Sequence, residues 1–370
     1  MAAVVAAVMA GWIALAAHGG SGPTPNPKPL AAAIHDAITG SHPTGVTARI
    51  AFTNNLFPSG ALTGQTGSAL ESSATGRLWL NGSGGRLELQ STGGDAQITW
   101  NDTKVTVYDA SSNTAYEADL PKDTSTGSGS GTPPSLDDIT SFLGKAAQQW
   151  TISAAQPSNV AGQEAYTVSV SPKHDGGLLG SAELAWDAAN GTPLKIAVYA
   201  QGSSSPVLAL EATDISFGSV SDSDVDVTPP AGAKVVDLAS HGQGSGSQPA
   251  PVTGLAAVQA AAPFTVVAPD TLDGLPRQDV RLVGSSDSQS VVVVYGEGLG
   301  AIVVVERKAD AAAKDGALGS LPTVTLSGVT AHELATPLGT ILTWQTGGVS
   351  FILAGSIPTA SAESAARALQ

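Results

Sequence analysis

The chain of 370 residues carries 31 acidic against 16 basic side chains, a formal net charge of −15, so its field repels phosphate backbones and argues against a nucleic-acid partner. It contains no cysteine, which excludes disulfides, thiolate catalysis, zinc–sulfur sites and a lipid-modified N-terminal cysteine. An apolar fraction of 42% with few aromatic and charged residues fits a globular chain of short strands and turns.

The chain opens on AAVVAAVMAGWIALAA, residues 2–17, which is free of charge and about 24 Å long as a helix at 1.5 Å per residue. It reads as a signal-peptide core or an uncleaved anchor within residues 1–20, with a buried core helix as the alternative. Residues 21–29 are rich in Gly and Pro and read as a linker. The remainder is therefore expected in the cell envelope outside the cytoplasmic membrane, secreted or tethered by an N-terminal transmembrane segment. A second linker over 239–254 separates expected domains at 30–238 and 255–370.

The first domain starts with PLAAAIHDAI, where Leu30, Ile34 and Ile38 share a helical face. Strands follow at 46–52, 76–80, 86–90, 96–100, 104–109 and 114–120, with tight polar turns between the later ones, which is the pattern of an antiparallel meander. In GRLWLNGSGGRLELQS, residues 76–91, alternation puts Leu78, Leu80, Leu87 and Leu89 on one face and Arg77, Trp79, Arg86 and Glu88 on the other. A helix at SLDDITSFLGKAAQQW has Ser135 as N-cap with Asp138 three residues on, and an apolar stripe that includes Ile139, Phe142 and Leu143. Strands resume at 165–170, 182–187, 194–199 and 207–217. Helices that interrupt hairpins, instead of alternating with strands, exclude a doubly wound sheet. The expected class is α+β, mostly β: an incomplete antiparallel β-barrel covered by helices, followed by a smaller α+β domain.

The segments GRLWLNGSGGRLELQSTGGDAQITWNDTKVTVYDASSNTAYEADLP, AGQEAYTVSVSP, AELAWDAANGTPLKIAVYA and DVTPPAGAKV resemble the LolA-like group in their order of elements. That group comprises periplasmic lipoprotein carriers, mycobacterial lipid-binding lipoproteins and the sensor domain of RseB/MucB-type regulators. The resemblance covers about 200 residues and implies a half-barrel whose apolar interior holds acyl chains. The absence of cysteine departs from the lipid-anchored members.

An acyl cavity would be lined from the sheet by Leu78, Leu80, Leu87, Leu89, Ile98, Trp100, Val105 and Val107, and closed from the helices by Ile34, Ile38, Ile139, Phe142 and Leu143. The glycine-containing stretch 54–73 carries Leu56, Phe57, Leu62 and Leu70 as a lid would. The bland alternative is an ordinary filled core. In the second domain, two Val/Ile runs at 291–295 and 301–305 are expected as adjacent strands buried on both faces, followed by a hairpin at 341–355 and a final helix. This domain resembles the small uncharacterised α+β domain of extracytoplasmic bacterial and anti-sigma-factor-like proteins.

Chemistry-bearing motifs are weak throughout. GEGLG, residues 296–300, joins two strands and reads as a turn, not a phosphate loop. DSDVD, residues 222–226, lacks the glycine and glutamate of a calcium loop and reads as a solvated strand entrance. The six histidines have no zinc-ligand spacing, and no G-x-S-x-G elbow occurs. The residues call for no cofactor, no metal and no catalysis. The expected partner is a lipid or a lipoprotein acyl chain. A regulatory module of the RseB/MucB type, whose second domain binds a membrane protein, and a ligand-free structural envelope protein are the alternatives.

Overall fold

The computed structural model describes residues 22–57, 68–120, 133–173, 176–238, 252–284, 289–309, 319 and 321–370. The apolar segment expected over 1–20, the linker residues 239–251 and Leu62 of the expected lid lie outside them. No helix among the described residues is long and apolar enough to cross a membrane. The chain divides into two compact units.

The first unit contains α1 (Leu30–Thr39), a meander of β1 (Gly45–Asn54), β2 (Ala74–Asn81), β3 (Gly84–Ser91), β4 (Gly94–Trp100), β5 (Lys104–Asp109) and β6 (Thr114–Asp119), then α2 (Leu136–Gln149). It continues with β7 (Trp150–Ile152), β8 (Gln156–Val160), β9 (Gln163–Pro172), β10 (Leu179–Asp187), β11 (Pro193–Ala200), β12 (Pro206–Phe217), a short α3 (Asp222–Val225) and β13 (Lys234–Asp237). These strands form one sheet in the order β13-β6-β5-β4-β3-β2-β1-β12-β11-β10-β9-β7, with β8 added on β9. Its two ends, β13 and β7, do not meet, so the barrel stays open. Neighbours run antiparallel from β6 through β11, while β13 adds to β6 in parallel.

Local chemistry explains most element ends. Ser135 accepts a hydrogen bond from the Asp138 backbone N–H, and the Asp138 carboxylate accepts one back from the Ser135 N–H, which completes the expected capping box of α2. Ala161 and Gly162, both with positive φ, make the two-residue turn between β8 and β9, a conformation that suits the right-handed twist of a hairpin. DSDVD differs from the strand entrance expected of it. Ser221 caps it as the single turn α3, because its hydroxyl accepts from the Ser223 N–H and the Asp226 N–H reaches back to the Asp222 carbonyl.

The second unit is built on β14 (Val252–Thr253), β15 (Thr271–Leu272), β16 (Leu275–Val283), β17 (Ser290–Tyr295), β18 (Ile302–Lys308), β19 (Thr323–Leu326), β20 (Val329–Thr336), β21 (Gly339–Thr346) and β22 (Val349–Gly355), with α4 (Leu255–Ala261) and α5 (Thr359–Ala368). Its sheet runs β14-β16-β17-β18-β22-β21-β20-β19, with β15 added on β16. The valine runs in β17 and β18 differ from the expectation of two buried faces. Val291, Val293, Tyr295, Ile302 and Val304 are fully buried, whereas Val292, Val294, Val303 and Val305 are half-buried. α4 and α5 supply Val258, Ala362 and Ala365 to the covered face, and Leu369 just past α5 joins them.

Candidate functional site

Strand register assembles a continuous apolar row across the first sheet. Ile215, Ala48, Leu78, Leu87, Ile98, Val107 and Tyr116 are successive cross-strand partners from β12 to β6. A second row pairs Val46, Leu80, Gly85, Trp100, Val105 and Ala118. Leu89 sits in a third, between Gly76 and Ala96. The eight sheet residues expected as a lining therefore share one face, since directly paired residues and alternate residues of a strand point the same way.

Burial along these rows is graded. Leu87 and Leu89 are 7% and 1% exposed and form a cluster with Val46, Ala48, Ile50 and Ala96, whereas Leu78, Leu80, Ile98, Trp100, Val105 and Val107 are half-buried and Tyr116 is 38% exposed. The apolar face is thus packed near β1 and β3 and opens toward β6. Gly85 carries one wall of it: a Cβ at that position would fall 2.2 Å from Trp100 Cζ2 and 2.6 Å from Leu80 Cδ2. The missing side chain lets the indole and the leucine lie directly over the backbone of β3.

Among the described residues, α1 and α2 pack mainly elsewhere. Leu30, Ala33, Ile34 and Ala37 of α1 pack with Tyr166, Val168 and Trp186 of β9 and β10, a cluster separate from the one around Leu87. α2 contacts α1 and β7. Of its expected lining residues, Ile139 is buried and Leu143 half-buried, but Phe142 is 68% exposed; Ile38 of α1 is 41% exposed. The sheet residues and the helix residues predicted as one lining are therefore not brought together as one cluster. Of the expected lid, Leu70 packs on the Leu87 cluster, while Leu56 and Phe57 are half-buried and group with the second unit.

The opposite face of the sheet is polar across β1 to β3, whereas on β11 and β12 it buries Ala197, Tyr199 and Ala209. Arg86 stacks over Trp79 at 4.9 Å from the ring centroid and pairs with Glu88; Arg49 lies 3.9 Å from Asp214. A cleft of about 620 Å³ opens there between Arg49, Thr75, Arg77, Glu88, Gln90 and Thr213. Farther along, Lys195 Nζ is 2.8 Å from Glu183 Oε1 and 3.6 Å from Glu211 Oε2. Burial pulls the Lys195 ammonium down, but the hydrogen bond and charge of Glu183, with Glu211 behind it, outweigh this and hold its pKa above the ordinary lysine value. This pair braces β10 to β11 and β12 and needs no ligand to explain it. Among the described residues, no His, Asp or Glu cluster has the geometry to hold a metal ion.

Sequence reasoning missed Gly85 and Tyr116. Tyr116 continues the row at the alternation already visible in β5, and Gly85 shows only as the last glycine of GSGG.

The architecture is an open, mostly β half-barrel with few helices, followed in the chain by a smaller α+β unit. No protein-family model matches the chain, and no curated protein does. Among solved structures, MucB in complex with MucA(peri) matches over 92% of this chain and 96% of its own, at 14% identity and a TM-score of 0.44. The Pseudomonas aeruginosa MucA/MucB complex matches over 91% and 94%, at 14% identity and a TM-score of 0.44. A putative outer membrane lipoprotein-sorting protein domain from Vibrio parahaemolyticus matches over 54% of this chain and 96% of its own, at 13% identity and a TM-score of 0.21. A MucB and a lipoprotein-sorting domain, two of the three groups that the sequence resembles, are thus among its structural neighbours.

Proposed function

We propose that the first unit binds acyl chains of a lipid or lipoprotein on the apolar face of its sheet, outside the cytoplasmic membrane and without catalysing a reaction. The observation that supports this is the row Leu78, Leu87, Ile98, Val107 and Tyr116, which is apolar along its length and loses cover toward β6 among the described residues. An extended chain laid across such a row would bury methylenes at about 0.8 kcal/mol each. Phe142 and Leu136, exposed on α2, add apolar surface in the same unit. The extracytoplasmic placement rests on the apolar run at 2–17.

Native mass spectrometry of the full chain before and after organic extraction tests the proposal. The expected result is a removable mass that fragments as fatty-acyl lipid, and Val107→Asp should lower its occupancy at least tenfold while the fold persists. A bare mass with no gain on adding fatty acid, phospholipid vesicles or an acylated peptide overturns it.

A further inference from the structure

In the second unit a carboxyl group is buried in the middle of an apolar sheet face. Glu306 is 0% exposed, with Val291 and Phe351 as its cross-strand partners on β17 and β22. Its Oε2 accepts a hydrogen bond of 2.9 Å from the Val267 backbone N–H, and its Oε1 has no protein partner among the described residues. The hydroxyl of Tyr295, on the same face, is also buried and has no partner among the described residues. Val267 belongs to Phe264–Asp270, a segment without helix or strand that runs from α4 to β15. Its Phe264, Val266 and Val267 pack on the core, and its far end is fastened by Arg277, which donates to the Ala268 carbonyl and, at 2.8 Å, to the Asp270 carboxylate.

We propose that residues 264–270 form a strap whose seating on the second sheet is governed by the protonation of Glu306. The strap is fastened at one end by the Arg277–Asp270 ion pair, and near its middle by a carboxyl group with no cation beside it among the described residues. The titratable groups facing this region are Tyr295 from β17, Arg277 from β16 and Asp270 from the strap. β21 and β22 present Trp344 and Phe351, which do not titrate; β20 presents Glu333 on the same face, its carboxyl raised by burial and by Glu363 of α5, and Glu363 also pairs with Arg367. Ionising Glu306 puts a bare charge into this face, and the least costly relief is to lift the strap and admit water. Burial pushes the carboxyl up to about 7, against the pull of the Val267 N–H, so the transition falls near neutrality. A carboxyl raised in this way binds its proton more tightly folded than unfolded. Its contribution to the closed state is complete below the ordinary carboxyl value of 4.5 and is lost as pH rises through about 7.

Hydrogen exchange of the full chain, resolved to the 264–270 segment and corrected for intrinsic exchange, reads the strap directly. From pH 5.5 to 8 its protection should fall at least fivefold while that of 291–295 holds, and in Glu306→Gln this pH dependence should vanish. Constant protection in the wild-type chain, or the same fall in the variant, overturns the proposal. If Glu306→Gln does not fold, carboxyl-carbon NMR of the wild-type chain decides. A Glu306 carboxyl carbon, assigned through its own backbone, that titrates with the midpoint of the exchange change supports the strap, and a Glu306 carboxyl already ionised at pH 6 sinks it.

Discussion

The indole of Trp100 lies across the backbone of Gly85 on the adjacent strand, so close that a Cβ there would stand 2.2 Å from the ring. This contact fixes the depth of the apolar face over β3, because Leu80 leans on the same glycine. Gly85→Ala should therefore displace both side chains and cost about 1–3 kcal/mol, as overpacking does. Urea denaturation measures it. A loss near zero would mean that Trp100 can swing aside freely and is not a fixed wall.

Leu87 and Phe142, both drawn from the sequence as one lining, should separate in a stability experiment. Leu87 is 7% exposed within a cluster, and Leu87→Ala should cost about 2–5 kcal/mol. Phe142 is 68% exposed, and Phe142→Ala should stay within about 0.5 kcal/mol of the parent. If acyl chains reach α2, the second variant lowers lipid occupancy without lowering the melting temperature.

Lys195→Met removes the cation beside a glutamate that is 2% exposed, and should destabilise the first unit by roughly 3 kcal/mol or more. Adding Glu183→Leu should recover most of that loss, since the cost lies in the stranded charge. The raised pKa of Lys195 gives the sign of the pH effect. The pair's contribution is intact below the ordinary lysine value of 10.5 and is lost as pH rises through the higher folded value. Melting of the two variants and an alkaline titration of the parent check both statements.

Ser135→Ala breaks the reciprocal capping of α2, whose first turn also carries Asp137 and Asp138 against the helix dipole. A loss of about 1 kcal/mol is expected, confined to α2. Faster amide exchange at the start of that helix, with the sheet unchanged, is the readout.

The sequence by itself determined the faces of β2 to β5 and the cap at Ser135, since alternation and capping depend on residues two or three positions apart. It also determined the mostly β class, because hairpin turns and an interrupting helix are local signals. Only the tertiary structure decided what those faces meet. β1 pairs with β12, Val46 opposite Phe217, a junction of distant segments that no periodicity records, and that pairing carries the apolar row across to Ile215. α1 docks on Tyr166 and Trp186 and not on the Leu87 cluster, although its spacing of Leu30, Ile34 and Ile38 fits either target equally well. Glu306 reads in sequence as the polar end of a valine run; it became a buried carboxyl because β22 and the 264–270 segment close over it. An amphipathic pattern fixes which side is apolar, and the long-range packing alone decides whether protein, water or a ligand lies against it.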